Sequence, residues 1–346
     1  MPSRRNVTLE DVAREAGVSV STASRTLNGR PTKVGVETQE RVRAVARRLG
    51  YVVNLAAQAM ARGQSRAIGL IVGSIPDDYQ NPVLAGVYRA ASTRDMLITT
   101  AVTTIADVER TRRAVQQLRG QRASTIFVVG TQTPAERGVP ELLEELERAE
   151  DEGCRVVLIG VGGTAFDSVV VDDFRAGEAM GSTFAELGYK NVSVLAGEDP
   201  GELSRSRASG FVAAMEAHGI PVKQDRVLWQ DFSHDGGYRG AGEILRRRPA
   251  AEAVFCVNDA MAIGACVRFR EQGLAVGTDI AVAGCDDIPA LRDIDPPLTT
   301  VRLPWGEAAE RAFELAEHER SDGRSVVLQG HPVVRASTPP RGEGLR

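Results

Sequence analysis

The stretch TLEDVAREAGVSVSTASRTLN, residues 8–28, decides the fold of the N-terminal region. The apolar residues of its first half recur at the spacing of one helix face and are Leu9, Val12, Ala13 and Ala16. Thr8 is a suitable N-cap for this helix, and Gly17 can end it. Ser19 can cap a second helix, in which Ala23 and Leu27 face inward. Two short helices joined by a tight turn that contains glycine are typical of a helix-turn-helix.

The segment VETQERVRAVARRLG, residues 36–50, predicts a third helix that packs on the first two. Its inward-facing residues follow the same spacing and are Val42, Val45, Ala46 and Leu49. Arginines lie along its remaining faces. Gly35 precedes the segment and is a weaker N-cap than serine. We therefore expect a headpiece of three short helices with a basic surface.

The second helix carries the residues that we expect to contact DNA. In a helix-turn-helix this helix enters the major groove with its N-terminal end first, so Val20, Ser21 and Arg25 are predicted to reach base edges. Arg25 can donate two hydrogen bonds to a guanine, and a valine methyl can pack on a thymine methyl. Short polar side chains suited to phosphate oxygens are Thr8, Ser19, Thr22, Ser24 and Asn28. The alternative is a three-helix bundle that binds a protein.

The distribution of charge supports a nucleic-acid interface at this end of the chain. Residues 1–66 hold 12 Lys and Arg and 5 Asp and Glu, a net charge of +7, whereas the remainder holds 30 and 41, a net charge of −11. A basic N-terminal region on an acidic body is typical of a nucleic-acid reader carried by another domain. A solvated basic face is the alternative.

The composition is that of a globular protein of two or three domains, with 42% hydrophobic and 25% charged residues in 346. The longest apolar runs fall short of the ~20 residues that span a bilayer, and the N-terminus has no apolar segment typical of a secretory signal. The four cysteines are scattered without CxxC spacing and are Cys154, Cys256, Cys266 and Cys285. We expect reduced thiols in a cytoplasmic protein, and neither a metal site nor a cofactor.

The stretch NLAAQAMARGQS, residues 54–65, has the composition of a helix but not the length. Asn54 can cap it and Gly63 can stop it. Isolated helices shorter than about 12–15 residues are marginal in water. This helix would also leave Leu55 and Met60 on its surface. It is too apolar for a simple tether.

From Ala67 onward, apolar strand-like runs alternate with helical segments in two successive series. The first series begins with AIGLIV at residues 67–72, and the second with NVSVLAG at residues 191–197. Alternating strands and helices predict parallel sheets covered on both faces. Two series predict two lobes with a ligand cleft at the carboxyl ends of their strands.

VTLEDVAREAGVSVSTASRTLNGRP, followed by ETQERVRAVARRLGYVVNLAAQAMARGQSRAIGLI, resembles the N-terminal region of the LacI/GalR family of bacterial transcription regulators. The resemblance implies that residues 54–65 are a hinge that folds when two copies meet on an operator, where the paired helices enter the minor groove. Asn54 and Met60 would then contact DNA. Met60 occupies the position of a leucine that wedges between base pairs, which kinks the duplex. The alternative is an ordinary linker helix with Leu55 and Met60 in a core.

The resemblance also implies the domain organisation of an α+α/β multidomain protein. Residues 1–53 would form the headpiece, 54–65 the hinge, and 66–346 a two-lobed effector domain resembling periplasmic binding proteins. Lobe 1 would comprise about 66–172 and 299–325, and lobe 2 about 173–298 and 326–340. The chain would pass between the lobes near Asp172, near Leu298 and near Ser325.

The resemblance implies four effector-binding side chains in lobe 2. Arg207 occupies the position of an arginine that grips ligand oxygens, and its planar fork suits adjacent hydroxyls or a carboxylate. Asp286 corresponds to an aspartate that accepts hydrogen bonds from ligand hydroxyls. Phe232 corresponds to an aromatic residue that stacks on the ligand ring, and Asn258 to a pocket amide. The alternatives are an interlobe salt bridge between Arg207 and Asp286, and a core position for Phe232.

Two more residues are candidates for the cleft. Asp172 lies at the first predicted lobe crossing, although a structural turn residue is an equal alternative. Tyr79 lies in the loop after the first strand. After the third and fourth strands, where sugar-binding relatives often carry polar side chains, this chain has Val129–Gly130 and Gly160. Those small residues leave room for a bulkier ligand.

An enzymatic function is not expected. The sequence contains no GxxxxGKS/T, HExxH or GxSxG motif. GVGGTA at residues 160–165 resembles part of a dinucleotide fingerprint, but another strand follows it instead of the required helix. The tail has no leucine heptads, so a tetramerising coiled coil is not predicted.

Together these observations predict a homodimeric repressor that binds a palindromic operator and is released by a sugar-type effector. The first alternative is a corepressor-dependent regulator that responds to a nucleobase or nucleoside. The second is a DNA-binding protein without a ligand. The predicted partners are double-stranded DNA, a small-molecule effector and a second copy of the chain, but no membrane.

Overall fold

The computed structural model describes residues 7–27, 34–53, 67–73, 80–103, 107–130, 140–160, 162–198, 202–247, 251–321 and 323–341. The chain divides into two compact units, Met1–Arg66 and Ala67–Arg346. The predicted hinge at 54–65 lies outside the described residues.

The N-terminal unit contains the three predicted helices, Leu9–Ala16 (α1), Val20–Leu27 (α2) and Val36–Leu49 (α3). Its buried core consists of the predicted inward-facing residues Val12, Ala13, Ala16, Ala23, Val42, Val45 and Ala46. Leu27 is only half-buried, and Thr26, which was not predicted to face inward, is buried. The apolar spacing of the sequence therefore fixes the core of this unit.

Local hydrogen bonds fix the ends of these helices. Thr8 and Asp11 form a capping box, in which each side chain accepts from the backbone N–H of the other residue. Gly17 and Gly50 end α1 and α3 with φ of 66° and 68°, a left-handed conformation that glycine adopts without strain. Gly35 begins α3 without a side-chain hydrogen bond, as its identity predicts.

The first lobe of the second unit is built on a sheet whose neighbouring strands are all parallel. In spatial order the strands are Ser325–Leu328 (β11), Asp167–Val171 (β5), Arg155–Ile159 (β4), Thr125–Val129 (β3), Ala67–Val72 (β1) and Leu97–Val102 (β2). The helices of this lobe are Gln80–Thr93 (α4), Val108–Gly120 (α5), Pro140–Asp151 (α6) and Trp305–Glu317 (α11). Because apolar side chains cover both faces of the sheet, its inner strands are continuous apolar runs.

The second lobe repeats this architecture. In spatial order its strands are His331–Val333 (β12), Thr299–Arg302 (β10), Ala281–Asp286 (β9), Ala253–Cys256 (β8), Val192–Gly197 (β6) and Val227–Gln230 (β7). Only the pair of β12 and β10 is antiparallel among the described strands of this sheet. The helices are Asp173–Glu186 (α7), Leu203–Ala217 (α8), His234–Arg247 (α9) and Asp259–Glu271 (α10).

Two of the three predicted lobe crossings need correction. Strand β10 pairs with β9 in the second sheet, so the chain leaves that sheet after Arg302 and not near Leu298. Strand β11 pairs with β5 in the first sheet, so the last crossing follows Leu328 and not Ser325. These four-residue strands were not predicted. In β10 the buried threonines Thr299 and Thr300 hydrogen-bond to side chains, which removes the apolar signal of a buried strand.

No helix among the described residues is long and apolar enough to cross a membrane. The four cysteines are free thiols, and all are buried. Burial raises the pKa of the Cys154 thiol to about 12, so this thiol is not a reactive thiolate.

Candidate functional site

The second helix of the N-terminal unit exposes the face that was predicted to reach DNA bases. Val20 is 46% exposed, although its side chain is apolar. Ser21 and Arg25 are also exposed, whereas Ala23 and Thr26 on the opposite face are buried. The Arg25 Nε donates to the Ser21 carbonyl oxygen at 3.1 Å, so the guanidinium lies along this face. An exposed valine and arginine on one helix face can read bases in a groove.

Hydroxyl groups cluster at the N-terminal end of the same helix. The Ser19 Oγ accepts from the Thr22 backbone N–H at 3.2 Å, and it lies 2.9 Å from the Ser21 Oγ and 2.8 Å from the Thr22 Oγ1. Ser19 therefore caps α2 as predicted. Thr8 is exposed and Ser24 half-buried. A helix N-terminus that carries exposed hydroxyl groups suits a phosphate oxygen.

Two arginines of the third helix have structural roles. The Arg41 Nε donates to the Ala16 carbonyl oxygen at 3.1 Å, and Arg48 pairs with Glu15 at 2.7 Å. Both contacts tie the third helix to the end of the first. The basic surface expected from the sequence is thus partly used to fix the positions of the helices.

Four of the predicted site residues lie outside the described residues: Asn28, Asn54, Met60 and Tyr79. The first three were predicted to contact DNA and the last to line the effector cleft.

Arg207 is the centre of the candidate effector site. Its side chain is fully buried in α8. The Nε donates to the Asp173 Oδ1 at 2.9 Å, and the Nη1 donates to the Asp286 Oδ1 at 3.0 Å and to the Val257 carbonyl oxygen at 2.8 Å. All four residues belong to the second lobe, so the pair of Arg207 and Asp286 is not an interlobe salt bridge. A buried guanidinium requires such partners because an unpaired buried charge is strongly destabilising.

Asp286 ends strand β9 in an unusual conformation. Its φ is 128° and that of Asp287 is 57°, values that residues with side chains seldom adopt. Such backbone strain costs of the order of 1–3 kcal/mol per residue and persists where surrounding contacts enforce it. Burial raises the pKa of Asp286, and the neighbouring Arg207 opposes that shift. Strain and a shifted pKa together are typical of functional sites.

Asp259, which was not predicted as a site residue, holds this strained segment. Its Oδ1 accepts from the Thr300 hydroxyl at 2.7 Å, and its Oδ2 accepts from the Ile288 backbone N–H at 2.9 Å. A Cβ at Gly284 would lie 2.2 Å from the Asp259 Oδ1, so only glycine fits there. Burial raises the pKa of Asp259. The signal in the sequence was the one charged residue in the mostly apolar segment CVNDAMAIG.

The remaining candidates are arranged around the ends of the second-lobe strands. The Phe232 ring is half-buried over the end of β6, where a Cβ on Gly197 would lie 2.2 Å from its Cδ2. The Asn258 Oδ1 accepts from the Met261 backbone N–H at 2.8 Å and caps α10. Asn258 directly follows Val257, whose carbonyl oxygen binds Arg207. The structure therefore brings Arg207, Asp286 and Asn258 together at the C-terminal ends of the second-lobe strands.

Asp172 caps a helix. Its carboxylate accepts from the Arg175 backbone N–H at 3.0 Å, which makes it the N-cap of α7. The next residue, Asp173, is the one that binds Arg207. The contact of Asp173 with Arg207 was not predicted, although the segment VVVDD contains both aspartates.

Comparison with known proteins identifies the family. Residues 8–54 match the sequence profile of the bacterial regulatory proteins of the lacI family, and residues 182–338 match a periplasmic binding protein-like domain. The HTH-type transcriptional regulator GalS of Salmonella typhimurium (strain LT2) is 30% identical over 310 residues, which cover 90% of this chain and 89% of the relative. The chain belongs to the lacI family. It is a DNA-binding transcription regulator.

Other lacI-family relatives agree with the architecture. The HTH-type transcriptional repressor PurR of Pectobacterium atrosepticum is 28% identical over 330 residues, 94% of this chain and 95% of the relative. The crystal structure of the lac repressor dimer bound to operator and the anti-inducer ONPF matches 97% of this chain and 100% of that chain, with a TM-score of 0.82 and 26% identity. The complex of the regulator CelR with cellobiose matches 96% of this chain and 100% of that chain, with a TM-score of 0.67 and 26% identity. The predicted fold, a helix-turn-helix headpiece with a two-lobed α/β domain, is confirmed.

Proposed function

We propose that this lacI-family chain is a repressor that binds a palindromic operator as a homodimer and is released by a sugar-type effector. The observation that carries the proposal is the buried guanidinium of Arg207. Asp173 and Asp286 bind it at the C-terminal ends of the strands of the second sheet. Backbone strain and buried charges cost free energy, and a ligand-binding site explains why they occur together here. This cluster therefore argues against a DNA-binding protein without a ligand.

For the DNA contacts we propose separate roles along the second helix. Arg25 reads a guanine, Val20 packs on a thymine methyl, and Ser21 reaches a base edge. The remaining contacts go to phosphates, through Thr8, Ser19, Thr22, Ser24 and Asn28. Asn54 and Met60 would act in the minor groove, where an apolar wedge kinks DNA. The exposed face of Val20, Ser21 and Arg25 supports the first set of roles.

For the effector we propose a ligand rich in uncharged hydroxyl groups. Carboxyl groups already bind two of the guanidinium nitrogens of Arg207, so a hydroxyl that can both donate and accept suits the site better than another carboxylate or phosphate. Asp286 accepts from such a ligand and Phe232 stacks on its ring. Asn258, Asp172 and Tyr79 complete the proposed cleft.

A nucleobase or nucleoside acting as corepressor is the second candidate. The half-buried ring of Phe232 favours it, since a flat heterocycle stacks on an aromatic face over its whole area. The two candidates predict opposite changes in operator affinity, because an inducer weakens operator binding and a corepressor strengthens it.

For the dimer we infer that one edge strand of each sheet, β2 and β7, contacts the second copy. Strand β2 lies at one edge of the first sheet, and β7 lies at one edge of the second. Leu97 on β2 is 60% exposed and Trp229 on β7 is 38% exposed. Tyr88 on the adjoining helix α4 is also exposed. Exposed apolar side chains on edge strands favour association with another chain.

The proposal is tested by capturing DNA with the purified full-length protein. Sheared DNA from the source organism is incubated with the protein, and the retained fragments are sequenced. We expect one enriched palindrome, which a compound from a panel of D-galactose, D-ribose and cellobiose releases. Retention that increases with hypoxanthine would support the corepressor alternative. Retention without any common sequence would contradict an operator-specific repressor.

A further inference from the structure

Asp287, next to the candidate effector-binding Asp286, carries two ion pairs of its own. Its Oδ2 accepts from the Arg302 Nε at 2.6 Å, and its Oδ1 accepts from the Arg335 Nη2 at 2.5 Å. The Asp287 side chain is only 3% exposed. Both carboxylate oxygens are therefore paired with guanidinium groups and almost fully shielded from solvent.

The two arginines come from the segments by which the chain passes between the lobes. Arg302 is the last residue of β10, immediately before the crossing that leads to α11 in the first lobe. Arg335 follows β12, the first strand after the crossing from β11. Arg335 also donates to the Leu298 carbonyl oxygen at 2.6 Å and, through its backbone N–H, to the Thr299 Oγ1 at 2.8 Å. One carboxylate thus joins the end of β9 to two of the three crossings.

The positive φ of Asp287 requires stabilising contacts such as these two ion pairs. Its φ of 57° follows the φ of 128° at Asp286, so two consecutive residues with side chains adopt positive values. The Asp287 N–H donates to the Thr300 Oγ1 at 3.2 Å. Burial of Asp287 is outweighed by Arg335 and Arg302, which hold the pKa of its carboxyl below the ordinary value. The carboxylate therefore stays charged, and its ion pairs persist.

We propose that Asp287 is a positioning residue: its two ion pairs hold Asp286 in its strained conformation and tie the end of β9 to the second and third lobe crossings. In this arrangement a ligand that displaces Asp286 acts on both crossings through one side chain. We call the two ion pairs of Asp287 with Arg302 and Arg335 the tether. Its role toward a ligand rests on the proposed function, whereas its existence does not.

The tether is tested by hydrogen–deuterium exchange of the full-length protein without ligand. Asp287→Asn preserves the size of the side chain and tolerates positive φ, but it removes the charge that both arginines contact. We expect exchange to become about tenfold faster in residues 286–288, 299–305 and 331–335, because each charged hydrogen bond contributes to local protection. Arg302→Gln and Arg335→Gln should each reproduce the change at their own crossing.

A matched control is Asp167→Asn in the first lobe. The Asp167 side chain is fully buried and also pairs with two arginines, Arg155 at 2.7 Å and Arg324 at 3.1 Å. Its loss should speed exchange around those partners without affecting residues 286–288 or 299–305. Unchanged exchange at both crossings in Asp287→Asn would overturn the proposal. Equal acceleration there in the Asp167→Asn control would overturn it as well, because the effect would then be general loss of stability.

A second variant separates the tether from the ligand site. Asp286→Asn removes the carboxylate proposed to face the ligand but leaves Asp287 paired, so the exchange of residues 331–335 should not change. Calorimetric binding of D-galactose, D-ribose or cellobiose should weaken at least tenfold in both aspartate variants. If crossing exchange responds to Asp287→Asn while none of these sugars binds the unaltered protein, the tether stands and the sugar-type effector of the proposed function is contradicted.

Discussion

Gly177 lies directly against the backbone of Arg207: a Cβ on Gly177 would be 1.9 Å from the Arg207 carbonyl oxygen. The contact is reciprocal, since a Cβ on Gly210 would be 2.0 Å from the Phe174 carbonyl oxygen. Helices α7 and α8 therefore cross at backbone contact. This close approach brings Asp173, at the start of α7, within hydrogen-bonding distance of the Arg207 side chain.

Gly177→Ala should disturb both stability and the effector site. The new methyl group meets rigid backbone, so the helices must separate, at a cost of about 1–3 kcal/mol in the free energy of unfolding. Urea unfolding of the full-length protein measures that cost. Gly306→Ala is the control, because a Cβ there has no heavy atom within 4 Å and the residue lies in helix α11. A stability loss of equal size in both variants would contradict the backbone-contact explanation.

Arg25→Ala should remove recognition at one base position of the operator. A bidentate contact to guanine is worth about 1–3 kcal/mol, so the variant should lose that discrimination and tolerate other bases there. Fluorescence anisotropy with single-base operator variants measures it. Arg47→Ala, which removes an exposed arginine of α3, should instead weaken binding to all sequences alike. Uniform weakening by Arg25→Ala would indicate a phosphate contact.

Acid should selectively weaken the first helix of the headpiece. The Thr8 backbone N–H and hydroxyl lower the pKa of Asp11 to about 2, below the ordinary value of 3.8. A lowered pKa means that the charged capping box stabilises the folded state above pH ~4 and loses this effect as the pH falls through about 2. Amide exchange of residues 9–16 should differ between the unaltered protein and Asp11→Asn at pH 5. The difference should disappear toward pH 2, and a constant difference would argue against this pKa.

Much of the N-terminal unit could be predicted from the sequence because its determinants are local. The helix caps Thr8 and Ser19 lie within three residues of the groups they bind, and the core follows a helical spacing. Arg207 was also identified, through a resemblance. Its partner Asp173, 34 residues away, was not predicted, because sequence order carries no information on which carboxylate faces a distant helix.

The second and third lobe crossings were misplaced for a related reason. The short strands Thr299–Arg302 and Ser325–Leu328 contain polar or exposed residues, and their sheet is set by pairing with distant strands. The ion pairs of Asp287 span 15 residues to Arg302 and 48 to Arg335. Contacts over such separations leave no periodic pattern, so only the structure shows them.

In the proposed function, a ligand bound at Arg207 changes the affinity of the headpiece for DNA. Arg207→Lys keeps the positive charge opposite Asp286 but loses the planar fork that binds two carboxylates and a carbonyl. We expect its operator affinity without effector to match that of the unaltered protein, since the headpiece does not change. Its response to the effector should be lost.

The decisive measurement is therefore operator affinity with and without the compound that releases captured DNA, in the unaltered protein and in Arg207→Lys. The unaltered protein should lose about 5- to 150-fold in affinity, which corresponds to a coupling of ~1–3 kcal/mol, and the variant should lose none. An equal loss in both proteins would contradict the assignment of Arg207 to the effector site. An operator affinity that no compound changes would contradict ligand control altogether.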